Sequence, residues 1–176
     1  MPNHCANLLR ITGPVAEQRR FIKMAQGFGP AWDGAKGKEL LELDINQFYP
    51  IPDKVLNEKK SNRSDAFNSG GYEWCVNNWG TKWGTYDVEV TVTKGETSYS
   101  FRTAWSPFNV EVLEKMAQMF PKLKFSLKFG EQGSCFVGEY RGEAGEAWEE
   151  NYAQGKDFNK AIKKDPELKE LADCSG

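Results

Sequence analysis

The sequence has 176 residues, of which 39% are apolar and 27% are charged, so its length suits one hydrophobic core and is short for two. The net charge of -2, with both signs mixed along the chain, argues against a general polyanion-binding protein, which would need a basic surface. No window is apolar enough for a membrane helix and the first residues lack a secretory signal, so we expect a soluble, cytoplasmic protein with no membrane contact.

A strand and a helix are the first predicted elements. Residues 4–12 alternate loosely between apolar and polar side chains before a Gly-Pro pair, and this pattern indicates a strand. Residues 14–26 predict a helix of about three turns that has proline in its first turn, exposes Gln18 and ends before Gly27. The predicted inward side chains are Cys5, Leu9 and Ile11 on the strand and Val15, Phe21, Ile22 and Ala25 on the helix.

The next part of the chain follows neither a helical nor a strand period, because glycine, proline and polar runs interrupt short apolar pieces. We interpret about residues 28–84 as an insertion into the domain. The elements predicted inside it are a short strand at 40–43, a helical turn at 53–58, a mobile stretch at 59–69 and a helix at 72–79.

The clearest alternation lies between Tyr86 and Thr103, where a turn at residues 94–96 separates the two strands of a hairpin with one buried face. A helix is then predicted from Ser106, its N-cap, and Pro107, its first residue, to about residue 120. Its predicted inward residues are Val110, Leu113, Ala117 and Phe120.

Two more strands are predicted at 123–129 and 135–140, and the polar sequence from Glu143 predicts a helical tail. On such a helix Trp148 and Tyr152, four residues apart, would share a face and could dock it to the body or to a partner. The end of the tail has only Leu168 and Leu171 as apolar anchors, so we expect it to fray. Carboxylates predicted to share one side of the tail helix, where a metal or acid-base role is the less common interpretation, are Glu143, Glu146 and Glu150.

This order of elements predicts the α+β class and a ferredoxin-like βαββαβ sandwich, in which helices pack on one face of an antiparallel sheet. A Trp-rich insertion lies between the first helix and the second strand, and an extra C-terminal strand and the helical tail follow. We divide the chain into a ferredoxin-like domain at 1–141, with the insertion at about 28–84, and a helical C-terminal extension at 142–176.

Cysteine and histidine are too sparse for the common catalytic and metal sites. The four cysteines form no Cys-x-x-Cys pair, and His4 is the only histidine. Metal sites draw on several such ligands, and Ser-His-Asp or Cys-His catalysis would have to use His4. No glycine-rich phosphate loop is present either. We therefore predict reduced, mostly buried cysteines, no catalytic residue, no metal and no cofactor.

An aromatic cluster is the strongest candidate binding site. Tryptophan anchors protein interfaces and ligand sites, so the cluster could form a pocket or a hot spot. In the competing interpretation, Trp74 and Trp79 fix the insertion to the sheet, and Lys82 is solvated or stacked on an indole. The candidate binding residues are Trp74, Trp79, Lys82, Trp83, Trp105 and Arg102.

The sheet face opposite the core is predicted to be polar, with Arg102, Lys124 and Lys128 among its residues. RNA-recognition domains of this topology carry stacking aromatics in a characteristic strand on that face. That strand motif is missing here, so we do not expect nucleic acid to be the partner.

Three motifs occur in order along the chain: Met1-Pro2-Asn3-His4 with Asn7 and Ile11-Thr12-Gly13, then Trp74–Trp83, then Thr103–Pro107. Together they resemble the Api92-like family, proteins of bacteriophages and plasmids that are related to the YubB-type ferredoxin-like domain. The likeness extends over roughly residues 1–140. It implies a ferredoxin-like fold and a mobile-element origin, but no activity, catalytic residue or cofactor.

We therefore expect a non-enzymatic accessory protein of a phage or plasmid that binds a host or phage protein in the bacterial cytoplasm, interference with host defence being one form of this function. Edge-strand pairing into a homodimer is a further expectation. One alternative is a small-ligand domain or enzyme with an aromatic pocket around Trp74–Trp83 and with Lys82, Arg102 and Asp87 as polar groups. A second alternative is single-stranded nucleic-acid binding in a basic, aromatic-lined groove.

Overall fold

The computed structural model describes residues 3–29, 40–56 and 71–175. Within them, six strands form one antiparallel sheet in the order β2-β3-β1-β4-β5-β6. The first four strands in chain order give the ferredoxin-like arrangement, and β5 and β6 extend the sheet beyond β4, which confirms the predicted fold. The strands are β1 His4–Thr12, β2 Tyr86–Val92, β3 Glu96–Ala104, β4 Lys124–Glu131, β5 Phe136–Glu143 and β6 Glu146–Gln154.

Helices lie on both faces of the sheet. The face that carries the main core packs against α1 and α4, whereas α5 and α6 lie against the other face. No helix in the described part of the chain is long and apolar enough to cross a membrane. The helices are α1 Val15–Ala25, α2 Asp53–Leu56, α3 Gly71–Trp79, α4 Val110–Met119, α5 Phe158–Lys164 and α6 Pro166–Cys174, with a 3-10 turn at Ile45–Gln47.

The main core forms around Phe21 of α1. Its ring lies 5.0 Å from that of Phe48, 5.2 Å from that of Phe120 and 5.7 Å from that of Phe125, measured between centroids. The inward face predicted for β1 is confirmed, because the side chains that alternate toward Phe21 are fully buried. These residues are Cys5, Leu9 and Ile11.

The inward stripe predicted for α1 is wrong at its first turn. Val15 is 51% exposed, while Gln18, expected to face solvent, is buried. Gln18 Nε2 donates to the carbonyl oxygen of Gly13 at 2.8 Å, and Thr97 Oγ1 donates to Gln18 Oε1 at 2.9 Å. Both polar ends of the amide are therefore satisfied inside the protein, and the amide ties the helix start to β3.

The start of α4 also differs from its prediction. Asn109, not Ser106, is the N-cap, and its side chain accepts from the backbone N–H of Val112 at 3.3 Å. Ser106 Oγ instead donates to the carbonyl oxygen of Gly80, because residues 106–108 close the insertion against the sheet. Of the predicted inward residues, Leu113, Ala117 and Phe120 are buried and Val110 is half-buried.

The predicted strand at 40–43 is reduced to one bridge. Leu41 and Gly27 exchange backbone hydrogen bonds of 2.7 and 3.1 Å, and the chain then turns into the 3-10 segment. The helical turn is present as α2 and the predicted helix at 72–79 as α3. The mobile stretch predicted at 59–69 lies outside the described residues.

The first half of the tail is a strand, where the sequence predicts a helix. Glu143 pairs with Glu146 across a two-residue turn whose residues, Ala144 and Gly145, have φ of 53° and 89°. Two positive φ values mark the turn that matches the twist of a tight hairpin, so β6 folds back on the free edge of β5. Glu143, Glu146 and Glu150 therefore share no helical side.

The second half of the tail is helical, and the two predicted anchors of its last helix, Leu168 and Leu171, are buried. Leu168 and Ala172 of α6 and Phe158 of α5 bury against Val137 of β5, and form a small second core on the outer face of the sheet. Glycine is required at Gly130 of β4, because a Cβ atom there would lie 2.7 Å from the backbone nitrogen of Ala172. The helix thus rests directly on the strand backbone.

All four cysteines are free, as predicted. The prediction that most of them are buried is wrong, because Cys5 and Cys75 are buried but Cys135 and Cys174 are exposed. Burial raises the pKa of both buried thiols far above its usual range, so neither is a thiolate at neutral pH.

Candidate functional site

The six predicted binding residues do not form one pocket. Two of them lie in the core, three form a cluster that includes an exposed tryptophan, and Arg102 faces the groove beside α6. Each of these three places has different chemistry.

Trp74 and Trp79 of α3 fix the insertion to the core. Trp79 is fully buried, and its Nε1 donates to the carbonyl oxygen of Tyr49 at 2.8 Å. The ring of Trp74 packs edge-on against Trp79 at 5.7 Å and against Tyr49 at 5.2 Å. Because the indole N–H of Trp79 already has a buried partner, this residue acts in packing and offers no surface to a ligand.

Lys82 lies among the rings of three aromatic residues. Its Nζ is 5.0 Å from the ring centre of Trp83, 5.2 Å from that of Trp105 and 5.5 Å from that of Tyr72. We call these four residues the Lys82 cluster. Cation–π distances of this kind support the interpretation of a lysine stacked on indoles.

Trp105 is the exposed member of the Lys82 cluster. It is 38% exposed, and its backbone has a φ of 72°, which is costly for a residue with a bulky side chain. Its N–H donates to the carbonyl oxygen of Asn3 at 2.9 Å, and Thr81 Oγ1 holds the preceding carbonyl, that of Ala104, at 2.8 Å. The surrounding hydrogen bonds thus fix this indole at the surface.

Arg102 and Asp87 lie on the outer face of the sheet, at a groove between α6 and the β2-β3 pair. Arg102 Nη2 donates to the carbonyl oxygen of Cys174 at 3.2 Å, and its Nη1 is 3.9 Å from a carboxylate oxygen of Asp87. The groove has a volume of about 530 Å³, and half of the residues that line it are charged, with both signs present. These contacts dock the end of α6, and they differ from the aromatic pocket proposed from the sequence.

Ion pairs bind the start of α6 to the centre of the same face. The guanidinium of Arg10 donates two hydrogen bonds to the carboxylate of Glu167, one of them 2.7 Å long. Lys128 Nζ is 2.5 Å from a carboxylate oxygen of Asp165 and 3.0 Å from one of Glu167. The hydrogen bonds from Arg10 in particular lower the pKa of Glu167 to about 2. Arg10 and Lys128 are therefore engaged by the tail.

The free edge of the sheet at β6 is the surface that the sequence analysis missed. β6 pairs with β5 on one side, and in the described structure no strand lies on its other side. Trp148 is 38% exposed and Tyr152 is 46% exposed. A hairpin signal was hidden because the turn is Ala-Gly rather than the usual Asn-Gly or Asp-Gly. We call residues 146–154, seen from this open side, the β6 edge.

A register shift in the β5-β6 pair separates the two exposed aromatic residues of the β6 edge. Tyr140 pairs with Glu149 and Glu139 with Asn151, so Glu150 is an extra residue in β6. Trp148 consequently lies on the outer face, beside Arg141, and its Nε1 donates to Glu150 Oε2 at 2.8 Å. Tyr152 stacks on Phe136 at the core side, 6.0 Å between ring centroids. An aromatic ring thus flanks the edge on each face.

Within residues 3–29, 40–56 and 71–175, no group of three or more histidine, cysteine, aspartate or glutamate side chains has the geometry of a metal site. The buried carboxylate of Glu131, for example, accepts hydrogen bonds from the backbone N–H groups of Gly133 and Ser134. Its oxygens therefore already have partners within the turn.

Comparison with known proteins gives a family model and a fold. A family model described as the ferredoxin-like domain in Api92-like protein matches residues 78–171. The crystal structure of a protein Api92 from Yersinia pseudotuberculosis is similar to this chain with a TM-score of 0.57 and 8% identity, over 88% of this chain and 98% of that one. At this identity the likeness shows the fold alone. No curated protein matches the sequence.

Proposed function

The chain belongs to the Api92-like family, whose model covers more than half of its 176 residues, and from that premise we propose that it is a non-enzymatic accessory protein of a phage or plasmid that acts by binding another protein. The partner is a host or phage protein in the bacterial cytoplasm, and interference with host defence is one form of this function. The family model extends through most of the tail, to residue 171, whereas the sequence motifs indicated a likeness only over roughly residues 1–140. Strand β6 and helix α5 thus belong to the family domain.

One observation carries the proposal: the open β6 edge. A strand at the end of a sheet presents unpaired N–H and C=O groups that can bind another chain. Exposed tryptophan and tyrosine side chains are typical of protein interfaces, because they bury a large area and lose little conformational entropy. The β6 edge combines both features in nine residues.

The alternative functions have less support from the geometry. A ligand pocket or enzyme site around Trp74–Trp83 would need those rings on the surface, and Trp79 is fully buried. A nucleic-acid groove would need several available cations along a row of aromatic rings. The outer-face cations Arg10 and Lys128 are paired with α6, and the Lys82 cluster contains a single lysine.

The test is native mass spectrometry of the tagged protein recovered from bacterial host cells, with half of each sample treated with nuclease. We expect an added protein mass at stoichiometric ratio in both halves. A nuclease-sensitive mass would contradict protein binding in favour of nucleic acid, and a small added mass would favour a ligand.

Three variants locate the contact in the same experiment. Trp148→Ala combined with Tyr152→Ala removes the exposed rings of the β6 edge and should abolish capture. Val92→Ala is the control at the opposite edge of the sheet, where Val92 is 62% exposed, and should leave capture unchanged. Trp105→Ala tests the Lys82 cluster; loss of capture in this variant alone would keep protein binding and move the interface there.

A further inference from the structure

We propose that the β6 edge binds a basic, extended segment of the partner protein, which adds to the sheet as a seventh strand. This inference rests on the proposed function and specifies the chemistry of the partner. It combines the backbone geometry of the edge with the charge of its side chains.

The backbone of β6 is suited to strand addition. It is nine residues long and contains no proline, so every residue has an N–H group. It also lacks lysine, the side chain that most often protects exposed edges. Both edge strands contain a register shift, but β2, at the opposite edge, has only seven residues and a positive φ at Asp87.

The charge of the β6 edge is uniformly negative. Glu146, Glu149 and Glu150 are all exposed, and the strand has no arginine or lysine. On the neighbouring strands, Arg141 Nε donates to Glu139 at 2.9 Å and Lys124 lies 3.0 Å from Glu143. Lys160 and Lys164 of α5 line a cleft with the second half of β6, and the lining of that cleft includes none of the three carboxylates. A cationic segment is therefore the complementary one.

The field of these carboxylates reaches neighbouring groups. Burial first, and the charge of Glu149 second, raise the pKa of Tyr140 to about 12 and also raise that of Tyr152. Lys115, the one basic residue of α4, lies over the ring of Tyr49 at 5.9 Å, on the flank of the insertion. It does not offset the charge at β6.

The same charge argues against a second copy of this chain as the occupant. Antiparallel pairing of two β6 strands would bring six carboxylates onto adjacent strands with no cation between them. Like charges on neighbouring strands are destabilising, so the charge of β6 opposes the homodimer expected from edge pairing at this strand.

Aromatic rings on the two faces of the edge add affinity for a basic segment. Trp148 on the outer face and Tyr152 on the core side can each stack with lysine or arginine side chains of an added strand. The hydrogen bond from Trp148 to Glu150 keeps indole and carboxylate together, so one cation could contact both.

The experiment measures binding of fluorescent peptides to the full chain by anisotropy. The probe is a peptide as long as β6 in which lysine alternates with valine and threonine. A second peptide has glutamate in place of lysine, and a third keeps the lysines but carries N-methyl groups on all of its backbone nitrogens, so that neither of its edges can donate to β6. We expect the basic peptide alone to bind, and its affinity to fall about tenfold when salt rises from about 0.05 M to about 0.3 M.

Charge-matched variants of the protein complete the design. Glu146→Gln, Glu149→Gln and Glu150→Gln together should weaken the basic peptide by about tenfold or more. The control is Glu73→Gln, Glu89→Gln and Glu170→Gln, three exposed carboxylates away from β6, which should leave the affinity unchanged.

Four results would overturn the inference: no binding of the basic peptide, equal binding of the acidic one, full binding of the N-methylated one, or no loss in the β6 variant. If the cellular partner is still captured in any of these cases, protein binding stands and only its assignment to a basic strand fails. If no partner is captured either, the proposed function fails as well.

Discussion

The two faces of the sheet are closed by different physical means. On the core face, α1 and α4 bury rings and aliphatic chains such as Phe21, Leu113 and Phe125, with almost no ionised groups. On the outer face, α5 and α6 bury only a small apolar cluster and rely on the carboxylates of Asp165 and Glu167 to hold Arg10 and Lys128. The first face is stabilised by apolar burial, whereas the second depends in addition on ionisation, and the two should fail under different conditions.

The largest effect should follow a cavity on the core face. Phe21→Ala removes a ring that contacts Phe48, Phe120 and Phe125, and it should lower the free energy of unfolding by about 3–5 kcal/mol. Urea unfolding at neutral pH measures it. Val15→Ala on the same helix, where Val15 is 51% exposed, is the control and should change stability by less than about 0.5 kcal/mol. Similar losses at both positions would show that α1 does not pack as described.

A cavity on the outer face should have a smaller and more local effect. Leu168→Ala removes the main α6 side chain of the second core and should cost about 2–3 kcal/mol. Amide hydrogen exchange should then accelerate in α6 before it does in β1, because the tail can open while the main core stays closed. The exposed neighbour Lys169→Ala is the control. Uniform acceleration over the whole domain would contradict a separately stabilised outer face.

Adding one methyl group to a glycine should have a different effect on each face of the sheet, because the space around the added Cβ atom differs. Gly130→Ala places a Cβ atom 2.7 Å from the backbone of Ala172 and should push α6 away from β4, at a cost of about 1–3 kcal/mol. Gly142→Ala is the counterpart, because its Cβ atom would meet Leu113 on the core face at 3.4 Å, an ordinary contact. Thermal unfolding of both variants measures the difference, and a larger loss in Gly142→Ala would reverse the comparison.

The core face could be predicted from the sequence because its signals are local. Alternation in β1, β3 and β4 and the helical period of α4 place Leu9, Phe101, Leu127 and Leu113 inside, and each is buried. Gln18 shows the limit of this reasoning. An amide looks like a surface residue until Gly13 and Thr97, far apart in sequence, supply its two hydrogen-bond partners.

The outer face could not be predicted because its signals depend on tertiary contacts. Residues 146–154 are polar on both sides of the strand, so they show neither a helical nor a strand period, and β5 imposes the strand. The tail helix α6 has few apolar residues, and the ion pairs with Arg10 and Lys128 involve residues from distant strands. The candidate site has the same limit. The sequence shows where the tryptophans lie along the chain, but only the tertiary structure shows which of them are exposed.

The smallest expected effect is a loss of folding stability at low pH that arises on the outer face and not on the core face. Because the pKa of Glu167 is lowered to about 2 in the folded chain, its ion pair stabilises the protein above its unfolded pKa, near 4.5, and is lost as pH falls from that value through about 2. Solvent screening at this partly exposed site reduces the contribution to about 1 kcal/mol. Urea unfolding between about pH 6 and about pH 3 should show this loss in the natural chain and not in Glu167→Gln, with exposed Glu170→Gln as the control on the same helix. If the free energy of unfolding falls equally at low pH in the natural chain and both variants, carboxylates other than Glu167 cause the loss. A loss confined to the two chains that keep Glu167 would show that its ionisation holds α6 on the sheet, while apolar packing alone holds α1.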